Sequence, residues 1–105
     1  MKTFFALLMT SLFMFTVGAY AGSFNVGQKN KQFTKTHMVI KVGDTVRFTN
    51  EDPFFHNVFS LSPIKTFDLG SYPKGEYREV TFDTAGKVEV ECAIHPNMRM
   101  TIEVK

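Results

Sequence analysis

Apolar and polar residues alternate along most of the chain after residue 22, which is the two-residue period of a half-buried β-strand. Turn signals such as Gly43-Asp44 and the segments 50–53 and 83–86 separate these runs, and no long stretch follows the helical period of 3.6 residues. The pattern predicts strands at 23–28, 38–42, 45–49, 56–61, 76–82, 87–92 and 100–104. Segment 62–75, punctuated by Pro and Gly, is predicted to be a long connection.

Roughly seven or eight short strands with frequent turns predict an all-β fold, a Greek-key antiparallel β-sandwich. Because side chains alternate across a sheet, Val88, Val90 and Cys92 should share one face of their strand. Ile102 and Val104 should point inward from the last strand. The other residues expected in the core are Tyr77, Val80 and the phenylalanines at positions 48, 59 and 82.

The first 21 residues have the pattern of a secretory signal peptide. Lys2 is the positive n-region, residues 4–17 are mostly apolar but short for a membrane span, and Ala19-Tyr20-Ala21 gives a small-x-small cleavage pattern. We therefore expect cleavage before Gly22, export to the periplasm and no membrane span in the mature chain. An uncleaved N-terminal anchor is the alternative. Residues 22–105, about 84 in number, suffice for one small domain with a single core.

The charge balance and the single cysteine reduce the range of possible functions. The chain has 12 Lys and Arg against 10 Asp and Glu, and loss of Lys2 with the leader brings the two counts within one of each other. A nearly neutral domain argues against nucleic acid as a partner. Cys92 is the only cysteine, so no internal disulfide can form. A lone thiol in an exported protein is expected to be buried or bound to metal, and a small buried hydrophobe is the simpler alternative.

Residues with metal-binding side chains are concentrated around that cysteine. Cys92 opens the run CAIHPNM, which contains His95 and Met98, and His56 lies upstream. A thiolate, two imidazoles and a thioether are the ligand set of a mononuclear electron-transfer copper site. The strand ending at Cys92 turns into a loop that can bring His95 and Met98 back to one point, whereas His56 must come from a neighbouring strand or its preceding loop. Asn57 is expected to hydrogen-bond across to the cysteine loop.

The motif His56-Asn57-Val58, followed by Cys-x2-His-Pro-x-Met-Arg at 92–99, resembles the cupredoxins, the small blue copper proteins. Amicyanin is the most similar, with plastocyanin and pseudoazurin as broader relatives, and segment 39–46 is similar to the early strand pair of the family. The resemblance covers residues 39–105. It implies one copper ion with His56, Cys92 and His95 as equatorial ligands and Met98 as the axial ligand. It also implies electron transfer through the exposed edge of His95.

Two positions depart from the pattern of the family. Ala93-Ile94 replaces the Ser/Thr-Pro pair often found between the cysteine and the histidine. Met100 stands five residues after His95, which is the axial spacing of plastocyanin and pseudoazurin. We favour Met98, because Ile102 then follows at the offset expected of the closing strand, and we assign Met100 to the core or rim.

These observations predict a periplasmic, monomeric electron carrier, not an enzyme, that cycles between Cu(I) and Cu(II). Its partners would be redox proteins that dock transiently on an apolar patch near Pro96, with Phe54 or Phe55 at the rim. A periplasmic copper carrier that delivers Cu(I) is the alternative. A zinc site or a metal-free binding module is a third hypothesis, although Met is a poor zinc ligand. His37 has no neighbouring ligands in the sequence and is expected on a strand surface.

Overall fold

The computed structural model describes residues 21–105, so the expected signal peptide at 1–21 lies almost wholly outside the described residues. Within residues 21–105 there are nine strands and no helix that is long and apolar enough to cross a membrane. The strands are β1 Ser23–Lys29, β2 Gln32–Phe33, β3 His37–Ile40, β4 Thr45–Asn50, β5 His56–Ser60, β6 Phe67–Tyr72, β7 Tyr77–Thr81, β8 Gly86–Cys92 and β9 Arg99–Val104.

The strands form two sheets that pack face to face. One sheet has four strands in the order β2-β1-β4-β7, and the other has five in the order β3-β9-β8-β5-β6. The predicted all-β sandwich is therefore confirmed. The sheets are mixed rather than purely antiparallel, because β1 pairs with β4 and β3 pairs with β9 in parallel. At the Gly43 turn, where φ is +98°, the chain crosses from β3 in one sheet to β4 in the other, so these two consecutive strands do not pair as the hairpin that an antiparallel sheet would contain.

Strand β6 lies within the segment that the sequence pattern predicts to be a connection. It pairs with β5, and the register shifts between Asn57 and Phe59. Gly70 has a φ of +73°, and only Tyr72 of the six residues is fully buried. An edge strand of this kind has few inward side chains, so its sequence resembles a loop. The register shift matters because it brings Tyr72 opposite His56.

The core lies between the sheets and contains the inward residues expected of the last two strands, since Val88, Val90, Cys92, Ile102 and Val104 are all buried. A row of aromatic rings from Phe33 through Phe48 and Phe67 to Phe82 crosses it, with centroids 6.2–6.4 Å apart. Contacts of this geometry add to the stabilisation from burial.

Two of the predicted core residues lie elsewhere. Tyr77 is 46% exposed, because the alternation that buries Val80 and Phe82 turns position 77 outward. There the Arg47 guanidinium lies 4.0 Å from the centre of its ring. Phe59 is only half-buried for the same reason, since its neighbours on β5 point inward.

Candidate metal centre

The register between β5 and β8 brings His56 and Cys92 together. Val58 is the partner of Cys92 across the two antiparallel strands, and His56 precedes Val58 by two residues on the same inward face. Diagonal neighbours in such a pair are near enough for a long side chain to bridge. The Nδ1 atom of His56 lies 3.6 Å from the Sγ atom of Cys92.

The loop after β8 returns His95 to the same point. Met98 donates its backbone N–H to the carbonyl oxygen of His95 at 2.9 Å, which closes a four-residue turn. Pro96 occupies the second position of this turn, where its fixed φ is favourable. The Nδ1 atom of His95 then lies 3.7 Å from Cys92 Sγ. One donor atom from each of His56, Cys92 and His95 lies within 4.8 Å of the other two, so these three sequence-predicted residues converge.

Two methionines lie close to this cluster along the chain, and the register of β8 with β9 distinguishes them. Met100 pairs with Val90, within the apolar core. Two residues further along the same pair of segments, Cys92 donates its backbone N–H to the carbonyl oxygen of Met98 at 3.3 Å. Met98 therefore stands opposite Cys92 on the inward side, and both methionines are at most 2% exposed.

The candidate site is closed on all sides but one. His56 is 0%, Met98 1% and Cys92 3% exposed, whereas His95 is only half-buried. The pKa of the His95 imidazole is lowered by this partial burial and by the positive fields of His56 and Lys31, and Asp52 acts in the opposite direction. A lowered pKa keeps the imidazole neutral near pH 7, which is the form that binds a metal.

Asp52 is a buried carboxylate directly behind His56. Its Oδ2 atom lies 2.7 Å from the Nε2 atom of His56, and the side chain also accepts the backbone N–H groups of Asn30 at 2.7 Å and Lys31 at 3.0 Å. Burial acts to raise the pKa of Asp52, but the hydrogen bonds from Lys31, His56 and Asn30 outweigh it, and the pKa falls below its ordinary value. A carboxylate at Nε2 fixes the tautomer of the ring and leaves the Nδ1 lone pair directed at Cys92.

Asn50 and Phe54 shape the loop that carries Asp52. The Asn50 amide donates to the carbonyl oxygens of Phe54 at 2.8 Å and Tyr72 at 2.9 Å, and its Oδ1 accepts the N–H of Asp52 at 2.8 Å. The ring of Phe54 lies 5.4 Å from the imidazole centroids of both His56 and His95. Of the two phenylalanines considered at the rim, Phe54 therefore contacts the cluster, while Phe55 is 53% exposed.

The roles of Asn50 and Asp52 beside the candidate site were not predicted from the sequence, where segment 50–53 was interpreted only as a turn that ends a strand. A signal was present, since Asn two residues before Asp is typical of an Asx turn and Asp52 lies four residues before His56. Asn57 contacts the cysteine loop through its backbone, because its carbonyl oxygen accepts the Ala93 N–H at 2.9 Å. The Oδ1 atom of the Asn57 side chain is buried without a hydrogen-bond partner among the described residues. His37 is exposed on β3, as expected.

The donor set fits copper better than the common alternatives. A soft thiolate and two imidazoles suit copper in both oxidation states, and magnesium or calcium would require oxygen ligands. The thiolate and the imidazoles would also bind zinc, but the thioether of Met98 is a poor zinc ligand.

Comparison with known proteins agrees with this chemistry. Residues 20–105 match the model of a family described as copper binding proteins, plastocyanin/azurin family. The chain belongs to this family of copper-binding, electron-transporting cupredoxins.

Individual proteins that resemble this chain include copper proteins and a protein of methylamine utilization. The chain is 28% identical to the methylamine utilization protein MauL of Methylorubrum extorquens over 111 residues, covering 99% of this chain and 96% of that protein. It is similar to a reduced Cu(I) form of an amicyanin variant, with 26% identity, a TM-score of 0.74 and 83% and 86% of the two chains covered. It is also similar to the copper-containing nitrite reductase of Thermus scotoductus SA-01, with 28% identity and a TM-score of 0.72 over 77% of this chain. The chain spans only 22% of the length of that enzyme.

Proposed function

We propose that this chain is a periplasmic type 1 copper protein that carries single electrons between redox partners. His56, Cys92 and His95 would be the equatorial ligands and Met98 the axial ligand. Copper bound at these residues supplies a one-electron Cu(I)/Cu(II) couple. The observation that carries the proposal is the approach of the His56 and His95 Nδ1 atoms to Cys92 Sγ at 3.6 and 3.7 Å.

The surroundings of the ligands support electron transfer. His56 and Cys92 belong to strands fixed by the core, and Asp52 orients the His56 ring through a 2.7 Å contact. Ligands that are held in place keep the geometry of the site nearly the same in both oxidation states of copper, which favours fast electron transfer. The exposed side of His95 is the natural route for the electron, since the other three proposed ligands are at most 3% exposed.

Copper delivery is the alternative function, and burial argues against it. Transfer of Cu(I) to an acceptor requires that the thiols or imidazoles of the acceptor reach the metal, and Cys92 and Met98 offer no surface for such an exchange. We also propose a carrier rather than an enzyme, because the similarity to nitrite reductase covers only 22% of that enzyme. Export, cleavage before Gly22 and a monomeric state belong to the same proposal.

The first test adds Cu(II) to the purified domain of residues 22–105 and records its visible spectrum. We expect an intense thiolate-to-copper absorption that is absent in Cys92→Ser. His37→Ala is the matched control, since His37 is exposed on β3 and should leave the spectrum unchanged. A colourless product with wild-type protein would refute the copper assignment.

A second test separates electron transfer from delivery. Cyclic voltammetry of the loaded domain should give a reversible one-electron wave, and a Cu(I) chelator should remove the metal slowly. Rapid release of Cu(I) without a reversible wave would favour the delivery function instead.

A further inference from the structure

A cavity opens beside the exposed edge of His95. It has a volume of about 320 Å³ and lies between residues 30–32, at the tip of the β1–β2 hairpin, and residues 94–97 of the loop after β8. The hairpin belongs to one sheet and the loop to the other, so the cavity spans the two layers at the end of the sandwich where the candidate ligands converge.

The hairpin tip places a lysine on this cavity by means of its backbone. Asn30 and Lys31 both have left-handed conformations, with φ of 56° and 60°. Asparagine tolerates this region, but glycine is the usual second residue of such a turn, so lysine is strained there. The Asp52 carboxylate accepts both backbone N–H groups and thereby holds the strained turn in place. The same carboxylate orients His56, so Lys31 is fixed relative to the candidate metal centre.

The Lys31 ammonium lies over the aromatic ring that packs beside the two candidate histidine ligands. Its Nζ atom lies 5.8 Å from the centre of the Phe54 ring, and that ring lies 5.4 Å from the His95 imidazole. Within residues 21–105, Lys29 and Lys31 form no ion pair, and the nearby Asp52 already accepts three hydrogen bonds. The charge at the hairpin tip is therefore available to a partner.

We propose that this cavity receives a carboxylate from an acidic redox partner, with the Lys31 ammonium as its counter-charge and the exposed Ile94 side chain as its apolar wall. The inference rests on the proposed electron-transfer function and adds the chemical class of the partner to it. A carboxylate bound here places the partner against the His95 edge. Charges at the exposed rim of an interface act on the association rate more than on affinity, and salt screens them.

The test uses two small oxidants of opposite charge, hexacyanoferrate(III) and tris(phenanthroline)cobalt(III). Each takes one electron from the Cu(I) protein and leaves Cu(II) and the reduced oxidant. At about 10 mM ionic strength we expect Lys31→Glu to slow oxidation by the anion and to speed oxidation by the cation, each about tenfold. Both effects should shrink as salt is added. The reduction potential of each variant is measured first, so that a change in driving force is accounted for.

Lys87→Glu is the matched control, because it changes the net charge equally. Lys87 is exposed near the start of β8, whereas the candidate ligand Cys92 ends that strand, about 17 Å away. We expect less than a twofold effect with either oxidant. Equal effects of the two variants would overturn the proposal, since they would report net charge rather than a local site.

The position of the proposed anion-binding site is tested separately with hexacyanochromate(III), a paramagnetic anion that does not exchange electrons with the protein. In NMR spectra of the metal-free domain it should broaden the amides of residues 30–32 and 94–97, and Lys31→Glu should abolish the broadening. Broadening centred elsewhere would refute the site. Because this measurement needs no copper, it decides the anion site even if the loaded protein proves redox-inactive, which would refute the proposed function instead.

Discussion

Asp52→Asn tests whether one buried carboxylate supports both the fold and the candidate metal centre. The wild-type side chain accepts three hydrogen bonds of 2.7–3.0 Å, from Asn30, Lys31 and His56. Asparagine retains one acceptor oxygen, and its amide group must face at least one of these donors. A hydrogen bond to a charged group contributes about 1.5–3 kcal/mol, so we expect a loss of about 2–4 kcal/mol from the free energy of unfolding.

The assay is urea unfolding of the reduced, metal-free domain at pH 7. Small domains have total stabilities of about 5–15 kcal/mol, so the expected loss is readily measured. Asp83→Asn is the matched control, since Asp83 is 69% exposed and has only long contacts, at 3.9 Å to Lys65 Nζ and 3.5 Å to Thr84 Oγ1. It should change stability by less than about 0.5 kcal/mol. A similarly small effect of Asp52→Asn would refute the role assigned to the carboxylate.

The pH dependence of the same variant gives an independent check. Hydrogen bonding lowers the pKa of Asp52 in the folded state, so its contribution to stability is complete above the unfolded value of about 3.9. That contribution is lost as the pH falls through the lower folded value. Wild type and Asp52→Asn should therefore converge in stability in acid. Copper affinity should also fall by about 10–100-fold, because the tautomer of His56 is no longer fixed. A chelator competition titration measures this loss.

Three further predictions follow from other contacts. Burial raises the pKa of Tyr72 to about 12, so its phenol should ionise well above the ordinary value of about 10 in a spectrophotometric titration. The stability linked to Tyr72 should be complete below pH 10 and decline as the pH rises through 12, whereas Tyr72→Phe should lack this decline. Gly86→Ala should reduce the free energy of unfolding by about 1–3 kcal/mol, measured in urea, because a residue with a Cβ is strained at a φ of +139°; the terminal methyl of Ile64, 2.6 Å from the new Cβ, would also have to shift. In the copper-loaded domain, Met98→Gln should shift the reduction potential and Met100→Gln should not, and the opposite result in voltammetry would reassign the axial ligand.

Asp52 couples the hairpin tip at residues 30–31 to His56, so a change at this one carboxylate acts on both. Loss of the carboxylate releases the Lys31 turn and the His56 ring together, since both donate to it. Lys31→Glu, in contrast, keeps the backbone hydrogen bond to Asp52 and replaces only the side chain, with its charge and its contact with the Phe54 ring. Comparison of the two variants therefore separates the proposed docking effect from an effect on the metal centre.

Most strands were predictable from the sequence because their alternation is local. Inward positions on β8 and β9 follow from the two-residue period, and residues such as Val90 and Ile102 are buried as expected. Tyr77 shows the limit of the same reasoning. Its hydrophobic ring suggested burial, but it lies an odd number of residues from the buried Val80 and therefore points to the opposite, exposed face of the strand. Strand β6 was missed because an edge strand with one fully buried residue carries too weak a pattern.

The sequence by itself determined the kinds of ligand available, because the chemistry of Cys92, His95 and Met98 and their spacing in one short loop are local properties. Only the tertiary structure brings His56 to Cys92 and His95, since the register of β5 against β8 depends on packing across the whole sheet. The same holds for Asp52 and Lys31, which are 21 residues apart in the chain and meet where the hairpin of one sheet folds over the loop that leads into the other. Contacts between distant segments depend on how the sheets pack, and no local pattern in the sequence encodes them.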